Sequence, residues 1–486
     1  MSVPSSTKLP LIIQGGMGVA VSGWRLANAV ASLGQLGLVS GTALDQVMVR
    51  RLQGGDPGGH IRRALDHFPF RAMAERAWSK YYVEGGLPDG AKYLNPGSLD
   101  KEMPRELAEP CLIANFVEVW LAKEGHSNPV GINYLEKIQP PHLVSIYGAM
   151  LAGVDYVVMG AGIPMRIPGA LDAFVNHETA TYPLTVVGAR EGDDTTMTFT
   201  PRDYMECDLP PLKRPMFLPI IASNVLAVAL AKKANGRVDG FVIERPTAGG
   251  HNAPPRGKLQ LNDAGEPVYG ERDIVDLAKM RALGLPFWLA GGYGQPEQLR
   301  EALKEGAAGI QVGTAFAYSV ESGMREDYKQ AILQQVAAGT AHVFTDPRGS
   351  PSGFPFKVVQ LDGTVSGEST YRERPRICDL GYLREAYRTP EGTVGFRCGS
   401  EPVNIFLSKG GDIAETEGRK CICNALMATM GHPQARSGGK IIEAGIVTSG
   451  DDLSNVKRFM PEGGTAYHAA DVIRILLSGL EADETE

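Results

Sequence analysis

Short apolar runs alternate with helical patterns along the first two thirds of the chain. The run at residues 9–14 ends in glycines, and a helix is predicted at residues 24–31, where Leu26, Ala29 and Val30 share one face. The next apolar run follows at residues 36–39. A strand, a helix and a second strand in this order predict two parallel strands joined by a right-handed crossover.

Eight apolar runs of this kind recur, each followed by a helical pattern or a glycine-containing loop. They cover residues 9–14, 36–39, 129–134, 154–159, 217–222, 241–243, 287–290 and 308–312. This alternation predicts an α/β fold, a closed (β/α)8 TIM barrel. An open doubly wound sheet is the competing architecture. It would place phosphate-binding glycines in its first crossover, whereas glycines here end strands one, six, seven and eight.

Three segments interrupt or extend the alternation. A helical insertion is predicted after strand 2, at about residues 45–127, and an antiparallel hairpin at about residues 180–205. We therefore predict a barrel domain at residues 1–335 and an added C-terminal region at residues 336–486, called the extension below.

A basic cluster marks the helical insertion. It consists of Arg50, Arg51, Arg62 and Arg63. Such a cluster can receive an anionic group, but a solvated helix face is the simpler interpretation.

Composition narrows the classes of protein that fit the chain. Of the 486 residues, 43% are hydrophobic and 21% charged, which is ordinary for a globular protein with a large core. The net charge of −7 argues against a nucleic-acid partner. No apolar run is long enough to cross a bilayer, and residues 1–10 lack the apolar core of a signal peptide. We expect a cytoplasmic protein.

Four of the six cysteines fall in the extension: Cys378, Cys398, Cys421 and Cys423. Their spacings fit no common zinc finger, so we expect free, partly buried thiols and assign no metal site. Arg419 and Lys420 would lower the pKa of the Cys421 thiol if it were exposed. We expect the extension either to close over the barrel mouth or to form a contact between copies, as in a homodimer.

Glycines and one histidine supply the candidate chemistry. Gly249 and Gly250 follow the sixth strand and lead to His251, a side chain suited to proton exchange near neutral pH. Backbone N–H groups after strands seven and eight of such barrels commonly bind phosphate. Gly291, Gly292, Gly313 and Thr314 occupy those two places.

The motifs, taken together and in order, resemble one known family. They are IQGGMG at residues 13–18, VGIN at 130–133, TAGGH at 247–251, LAGG at 289–292 and GIQVGTAF at 309–316. This set resembles the nitronate monooxygenase family, also described as 2-nitropropane dioxygenase-like, which includes FMN-dependent enoyl-ACP reductases. The resemblance covers roughly residues 9–325, apart from the insertion and the hairpin.

The resemblance implies one non-covalent FMN and assigns roles to ten residues. Gly291, Gly292, Gly313 and Thr314 would hold the phosphate, and Gly250 would lie beside the cofactor next to the catalytic His251. The flavin ring would be lined by Gly16, Met17 and Gly18, with Asn133 at its polar edge. The loop at residues 160–164 has no lysine where the family carries one after strand four.

The implied activity is oxidation of an alkyl nitronate with O2. The alternative is an NAD(P)H-dependent enoyl reductase acting on fatty-acyl or polyketide thioesters, in which NAD(P)H is the electron donor. A non-catalytic flavin-binding scaffold is a second alternative, and His251 argues against it. In each case FMN performs the redox chemistry while the protein supplies position and charge.

Overall fold

The computed structural model describes residues 9–481. Residues 1–8, which include most of the segment predicted to carry no signal peptide, lie outside the described residues, as do residues 482–486. Within the described part, no helix is both long and apolar enough to span a membrane.

Eight parallel strands close into a barrel in the order in which they occur along the chain. Numbered β1–β8, they are Ile12–Gln14, Leu36–Ser40, Val130–Leu135, Tyr156–Gly160, Met216–Ile221, Phe241–Glu244, Phe287–Ala290 and Gly309–Val312. β1 closes the barrel by pairing with β8, with Ile13 opposite Gln311. The predicted (β/α)8 TIM barrel is confirmed, and the doubly wound sheet is wrong.

The strands are apolar along their length because both of their faces are buried. Side chains such as Ile13, Val158, Val242 and Trp288 fill the barrel interior. A second, larger core lies between the strands and the surrounding helices. Side chains along a strand alternate between these two cores, so residues two positions apart face the same side. A residue that ends a strand two positions after an interior residue therefore faces the mouth of the barrel.

The ring of helices follows the sequence pattern with small shifts. Its members are Trp24–Ser32, His142–Leu151, Ile167–Val175, Asn224–Lys233, Leu277–Ala282 and Pro296–Lys304. In the first helix the buried face contains Ala27 and Ala31 beside Leu26 and Val30, and Ala29 is only partly buried. The helix predicted at residues 274–283 begins later, because the Asp276 side chain caps the N–H groups of Ala278 and Lys279.

The insertion between β2 and β3 is helical, as predicted. Its helices are Leu44–Gln53, His60–Leu65, Arg71–Tyr81 and Arg105–Ala122. The interpretation of its basic cluster as a solvated face is wrong for Arg50, which is fully buried and donates to the carbonyl of His432. The other three arginines pair with nearby carboxylates, for example Arg51 with Glu118. These pairs leave no clustered free charge for an anion.

The predicted hairpin is formed by Ala180–Pro183 and Thr196–Phe199, which pair antiparallel. Val186–Val187, which lies within the predicted hairpin segment, instead joins a separate sheet. It pairs in parallel with Glu385–Arg388, which also pairs with Val394–Arg397. The excursion from the barrel is therefore joined to the extension by backbone hydrogen bonds.

The extension packs on the barrel through the same continuous apolar core. Its remaining helices and strands are Val343–Asp346, Phe356–Val359, Glu368–Glu373, Val403–Ser408, Ile422–Thr429, Ala435–Arg436, Ile441–Ile442 and Ala469–Glu481. The helix Glu326–Ala338 crosses the predicted boundary at residue 335. The two-domain division stays a prediction.

The helix Ala469–Glu481 completes the ring around the barrel. It packs against Pro296–Lys304, which follows β7, and against Trp24–Ser32, which follows β1. The position between those two helices belongs to the eighth helix of a (β/α)8 barrel. A Cβ atom on Gly479 would lie 2.2 Å from the carbonyl oxygen of Pro296, so the two helices meet backbone to backbone. The extension is therefore inserted between β8 and the helix that closes the ring.

Candidate active site

The loop that carries His251 follows β6 and is held by two parts of the extension. The N–H of Gly250 donates to Oγ1 of Thr448 (2.8 Å), and the Gly250 carbonyl accepts from the N–H of Lys357 (3.0 Å). A Cβ atom on Gly249 would lie 2.8 Å from the carbonyl carbon of Ser449. The glycine is required here because the two backbones touch.

His251 is fixed by its own neighbours. Its Nε2 lies 2.7 Å from Oγ of Ser350, and its ring centroid is 4.7 Å from that of Phe356. Burial lowers the pKa of His251 to about 4. The imidazole is therefore uncharged at neutral pH, so it can accept a proton but does not supply a positive charge.

Two adjoining cavities occupy the barrel mouth. The cavity lined by His251 and Asn133 has a volume of about 140 Å³ and is called the His251 cavity. The cavity lined by Gly292 and Gly313 measures about 130 Å³ and is called the Gly313 cavity. Both are lined by Gly250, so they form one elongated site above the carboxyl ends of the strands.

All ten residues selected from the sequence line this site. Asn133 and His251 line the His251 cavity, and Gly16 and Gly18 line both cavities. The other six line the Gly313 cavity: Met17, Gly250, Gly291, Gly292, Gly313 and Thr314. Their roles stay predictions, but their proximity is what one cofactor contacting all of them would require.

Glu244 is a site residue that the sequence analysis missed. It ends β6 two positions after Val242, an interior residue, so its side chain faces the barrel mouth, and it lines both cavities. Within residues 9–481 no ion pair or side-chain hydrogen bond is formed by its carboxyl group. Burial raises the pKa of Glu244 to about 8, so it holds a proton at neutral pH. The period-two pattern of β6 is the signal that could have identified it.

The extension supplies one wall of both cavities. Its lining residues are Phe356, Tyr382, Leu383, Ile422, Cys423, Leu426, Thr448, Ser449, Gly450 and Asp452. No motif in the sequence marked these positions, because they come from separate elements that meet only in the folded chain.

The residues present fit a flavin mononucleotide. In the described part of the chain, the N–H groups of Gly291, Gly292, Gly313 and Thr314 donate no hydrogen bond, and such donors suit a phosphate. A Cβ atom on Gly16 would lie 2.4 Å from Cβ of Asn133, so the loop after β1 lies against β3.

Three buried polar atoms at the site have no hydrogen-bond partner among the described residues, one of them Oγ of Ser449 in the wall of the Gly313 cavity. Oε1 of Gln311, which lines both cavities, has no hydrogen-bond partner, and neither has Oγ1 of Thr247 beside Gly291. A buried acceptor without a partner is costly unless a ligand or water satisfies it.

A larger cavity adjoins the site at Glu244, which lines all three cavities. It measures about 920 Å³ and contacts Ile243 and Leu289, whose side chains belong to the core outside the barrel. Neither His251 nor the glycines after β8 line it. Its size therefore does not mark the place of the chemistry.

The cysteines of the extension are free, as expected. No group of three or more potential ligands capable of holding a metal ion occurs within residues 9–481. Cys421 is buried, and burial raises the pKa of its thiol to about 11, so the lowered pKa that an exposed thiol beside Arg419 would show does not occur. Burial also raises the pKa of the Cys423 thiol, which lines the His251 cavity.

Comparison with known proteins agrees with the ordered motifs. Residues 213–351, which contain β5–β8, match the family model of nitronate monooxygenase. A nitronate monooxygenase of Pseudomonas aeruginosa is 31% identical over 164 residues, which are 33% of this chain and 43% of that protein. The resemblance to this family is confirmed.

One further relative and one solved structure carry different names. The (3aS,4S,5R,7aS)-5-hydroxy-7a-methyl-1-oxo-octahydro-1H-indene-4-carboxyl-CoA dehydrogenase of Mycobacterium tuberculosis is 28% identical over 155 residues, covering 32% of this chain and 39% of that protein. The structure of FabK from Thermotoga maritima aligns with 98% of this chain and 94% of its own, at 15% identity and a TM-score of 0.48. The chain matches less than half of the length of the nitronate monooxygenase from Pseudomonas aeruginosa and of the dehydrogenase from Mycobacterium tuberculosis.

Proposed function

We propose that this chain, whose second barrel half matches the nitronate monooxygenase family, is an FMN-dependent oxidoreductase. The observation that carries the proposal is the row of unused backbone donors after β7 and β8, in one site with an uncharged histidine. In this proposal Gly291, Gly292, Gly313 and Thr314 hold the phosphate. The loop after β1 and Asn133 contact the flavin ring.

The side chains around the His251 cavity bind and orient the substrate and exchange protons with it. FMN, when bound, supplies the electron acceptor and the reactivity toward O2. His251, uncharged at neutral pH and held by Ser350, accepts a proton from the substrate or orients its polar group. Glu244, protonated at neutral pH, donates a hydrogen bond to whatever occupies the barrel mouth.

The first candidate substrate is an alkyl nitronate, oxidised with O2. The family match and the relative from Pseudomonas aeruginosa support it. An anionic nitro group would be held by hydrogen bonds, from protonated Glu244 and from the imidazole of His251, rather than by a cation. Among the described residues, no lysine or arginine lines the His251 cavity.

The second candidate substrate is an enoyl thioester, which is reduced with NAD(P)H as the electron donor. The lining of the His251 cavity favours it, because an uncharged wall with apolar side chains suits a neutral acyl chain. The larger aliphatic side chains are Val19, Leu135, Ile138, Ile220, Leu383, Ile422 and Leu426. The relative from Mycobacterium tuberculosis is named for a CoA thioester, which supports the same candidate.

Anaerobic reduction of the purified protein tests both the binding of flavin and the choice between the two candidate substrates. A flavin absorbance spectrum, with FMN released on denaturation, is expected. Propionate 3-nitronate, NADH and NADPH are then mixed separately with the protein. Bleaching by the nitronate alone supports the first candidate, whereas bleaching by a nicotinamide followed by reoxidation with crotonyl-CoA supports the second. A protein that neither contains nor takes up flavin would overturn the proposal.

A further inference from the structure

Asp452 brings a carboxylate to the Gly313 cavity. This residue lines the cavity at the end of the segment 448–452 of the extension. A Cβ atom on Gly450 would lie 2.8 Å from Oδ1 of Asp452 and 2.9 Å from Oγ1 of Thr314, and one on Gly294 would lie 3.1 Å from Oδ2. The carboxylate therefore lies among the backbone donors after β7 and β8.

This carboxylate has no oppositely charged partner in the described part of the chain. Within residues 9–481 no ion pair joins Asp452 to a lysine, arginine or histidine. Burial raises the pKa of Asp452, and Asp451 acts in the same direction, while the Thr314 hydroxyl opposes them. The titratable groups near Asp452 are Asp451, which pairs with Lys357, and Tyr318. Its neighbours thus make the charged form less favourable.

We propose that Asp452 sets the affinity of the Gly313 cavity for a phosphate monoester by opposing its dianionic form. The inference rests on the proposed binding of FMN and goes beyond it, because it assigns to one residue of the extension control over which flavin is retained. Two like charges in a buried cavity repel more strongly than in water. Riboflavin, which has the same ring system without the phosphate, escapes this repulsion.

The test compares FMN with riboflavin on the wild type and on Asp452→Asn, a variant that removes the charge and keeps the size. Flavin-free full-length protein is titrated with each flavin, and the dissociation constants are measured from the quenching of flavin fluorescence. At pH 8.5 we expect Asp452→Asn to bind FMN at least about tenfold more tightly than the wild type, with riboflavin changed by less than about twofold. The difference in FMN affinity should be smaller at pH 5.5 than at pH 8.5, because the phosphate takes up its second proton near about pH 6 and burial, which raises the pKa of Asp452, favours protonation of its carboxylate as the pH falls.

The matched control is Asp66→Asn, which removes one exposed carboxylate on the insertion. It should leave both affinities unchanged, and thermal unfolding verifies that each variant is folded. Asp452→Ser provides a second uncharged variant if Asp452→Asn unfolds. Unchanged or weaker FMN binding by the folded variants would overturn the inference about Asp452. Absence of flavin binding in every protein, the wild type included, would overturn the proposed function as well.

Discussion

Nε2 of His251 and Oγ of Ser350 lie 2.7 Å apart, although the two residues belong to the loop after β6 and to the extension. Oγ of Ser350 also lies 2.8 Å from Oγ of Ser352 and accepts from its N–H. This pair of hydroxyl groups fixes one ring nitrogen of the imidazole, so the other nitrogen is left for the substrate. Ser350 is a positioning residue in this arrangement.

Ser350→Ala should lower kcat by about fivefold, because the loss of one hydrogen bond of about 1 kcal/mol lets the imidazole leave its working orientation. FMN affinity and KM should stay close to the wild-type values. Steady-state kinetics with the substrate found by the reduction experiment measures the effect. Ser350→Thr keeps the hydroxyl group and should restore most of the activity. Equal loss in both variants would show that packing rather than the hydrogen bond is responsible.

His251→Ala should retain FMN and lose at least about a hundredfold in kcat, the usual contribution of a general acid or base. In the wild type the acid limb of kcat should lie near pH 4, since burial lowers the pKa of His251 to about 4. A pH–rate profile measures this limb, and its position near pH 6.5 would contradict a buried imidazole. Normal turnover of the alanine variant would remove His251 from catalysis.

Glu244→Gln should make stability less dependent on pH. The folded-state pKa of Glu244 is raised to about 8 from 4.5, so the folded protein binds one more proton than the unfolded chain between those values. The contribution of this group is therefore fully present below about pH 4.5 and is lost as pH rises toward 8. Urea unfolding of flavin-free protein at pH 6 and pH 9 should show a larger stabilisation by Glu244→Gln at pH 9. An increase in the free energy of unfolding that is the same at pH 6 and at pH 9 would contradict the raised pKa of Glu244.

The sequence predicted the barrel well because its signals are local. Each strand is a short apolar run buried on both faces, and seven of the eight were located within two residues at either end. Two deviations have local causes that periodicity does not detect. The helix Arg105–Ala122 continues through Pro110, although proline removes one backbone hydrogen bond and is a usual signal for a helix end. The side chain of Asp276 delays the start of Leu277–Ala282.

The candidate site was predicted only where motifs lie at strand ends. Gly16, His251 and Gly313 could be found because they follow apolar runs, and (β/α)8 barrels place their functional residues at the carboxyl ends of the strands. Ser350 and Asp452 could not, because their importance comes from contacts with residues 99 and 138 positions away along the chain, Ser350 with His251 and Asp452 with Thr314. A single sequence contains no signal for such pairs.

Gly479→Val should destabilise the protein by about 1–3 kcal/mol, because the added side chain would separate two helices whose backbones touch. The affected contact is the one between Gly479 and the carbonyl oxygen of Pro296. Urea unfolding measures the change. Ser478→Ala, on the exposed side of the same helix, should change stability by less than about 0.5 kcal/mol. Equal effects at the two positions would mean that the helix does not pack against Pro296–Lys304.

The position of Ala469–Glu481 as the closing helix of the ring has a consequence for biosynthesis. A ribosome delivers β8 long before it delivers this helix and the segment 448–452, so a nascent chain with all eight strands still lacks one helix of the ring and one wall of the site. Domains that fold as they emerge usually do so from the N-terminus. The ring that begins with β1 is therefore closed only after Ala469–Glu481 has been synthesised, and the candidate site gains the wall formed by the segment 448–452 long after its eight strands.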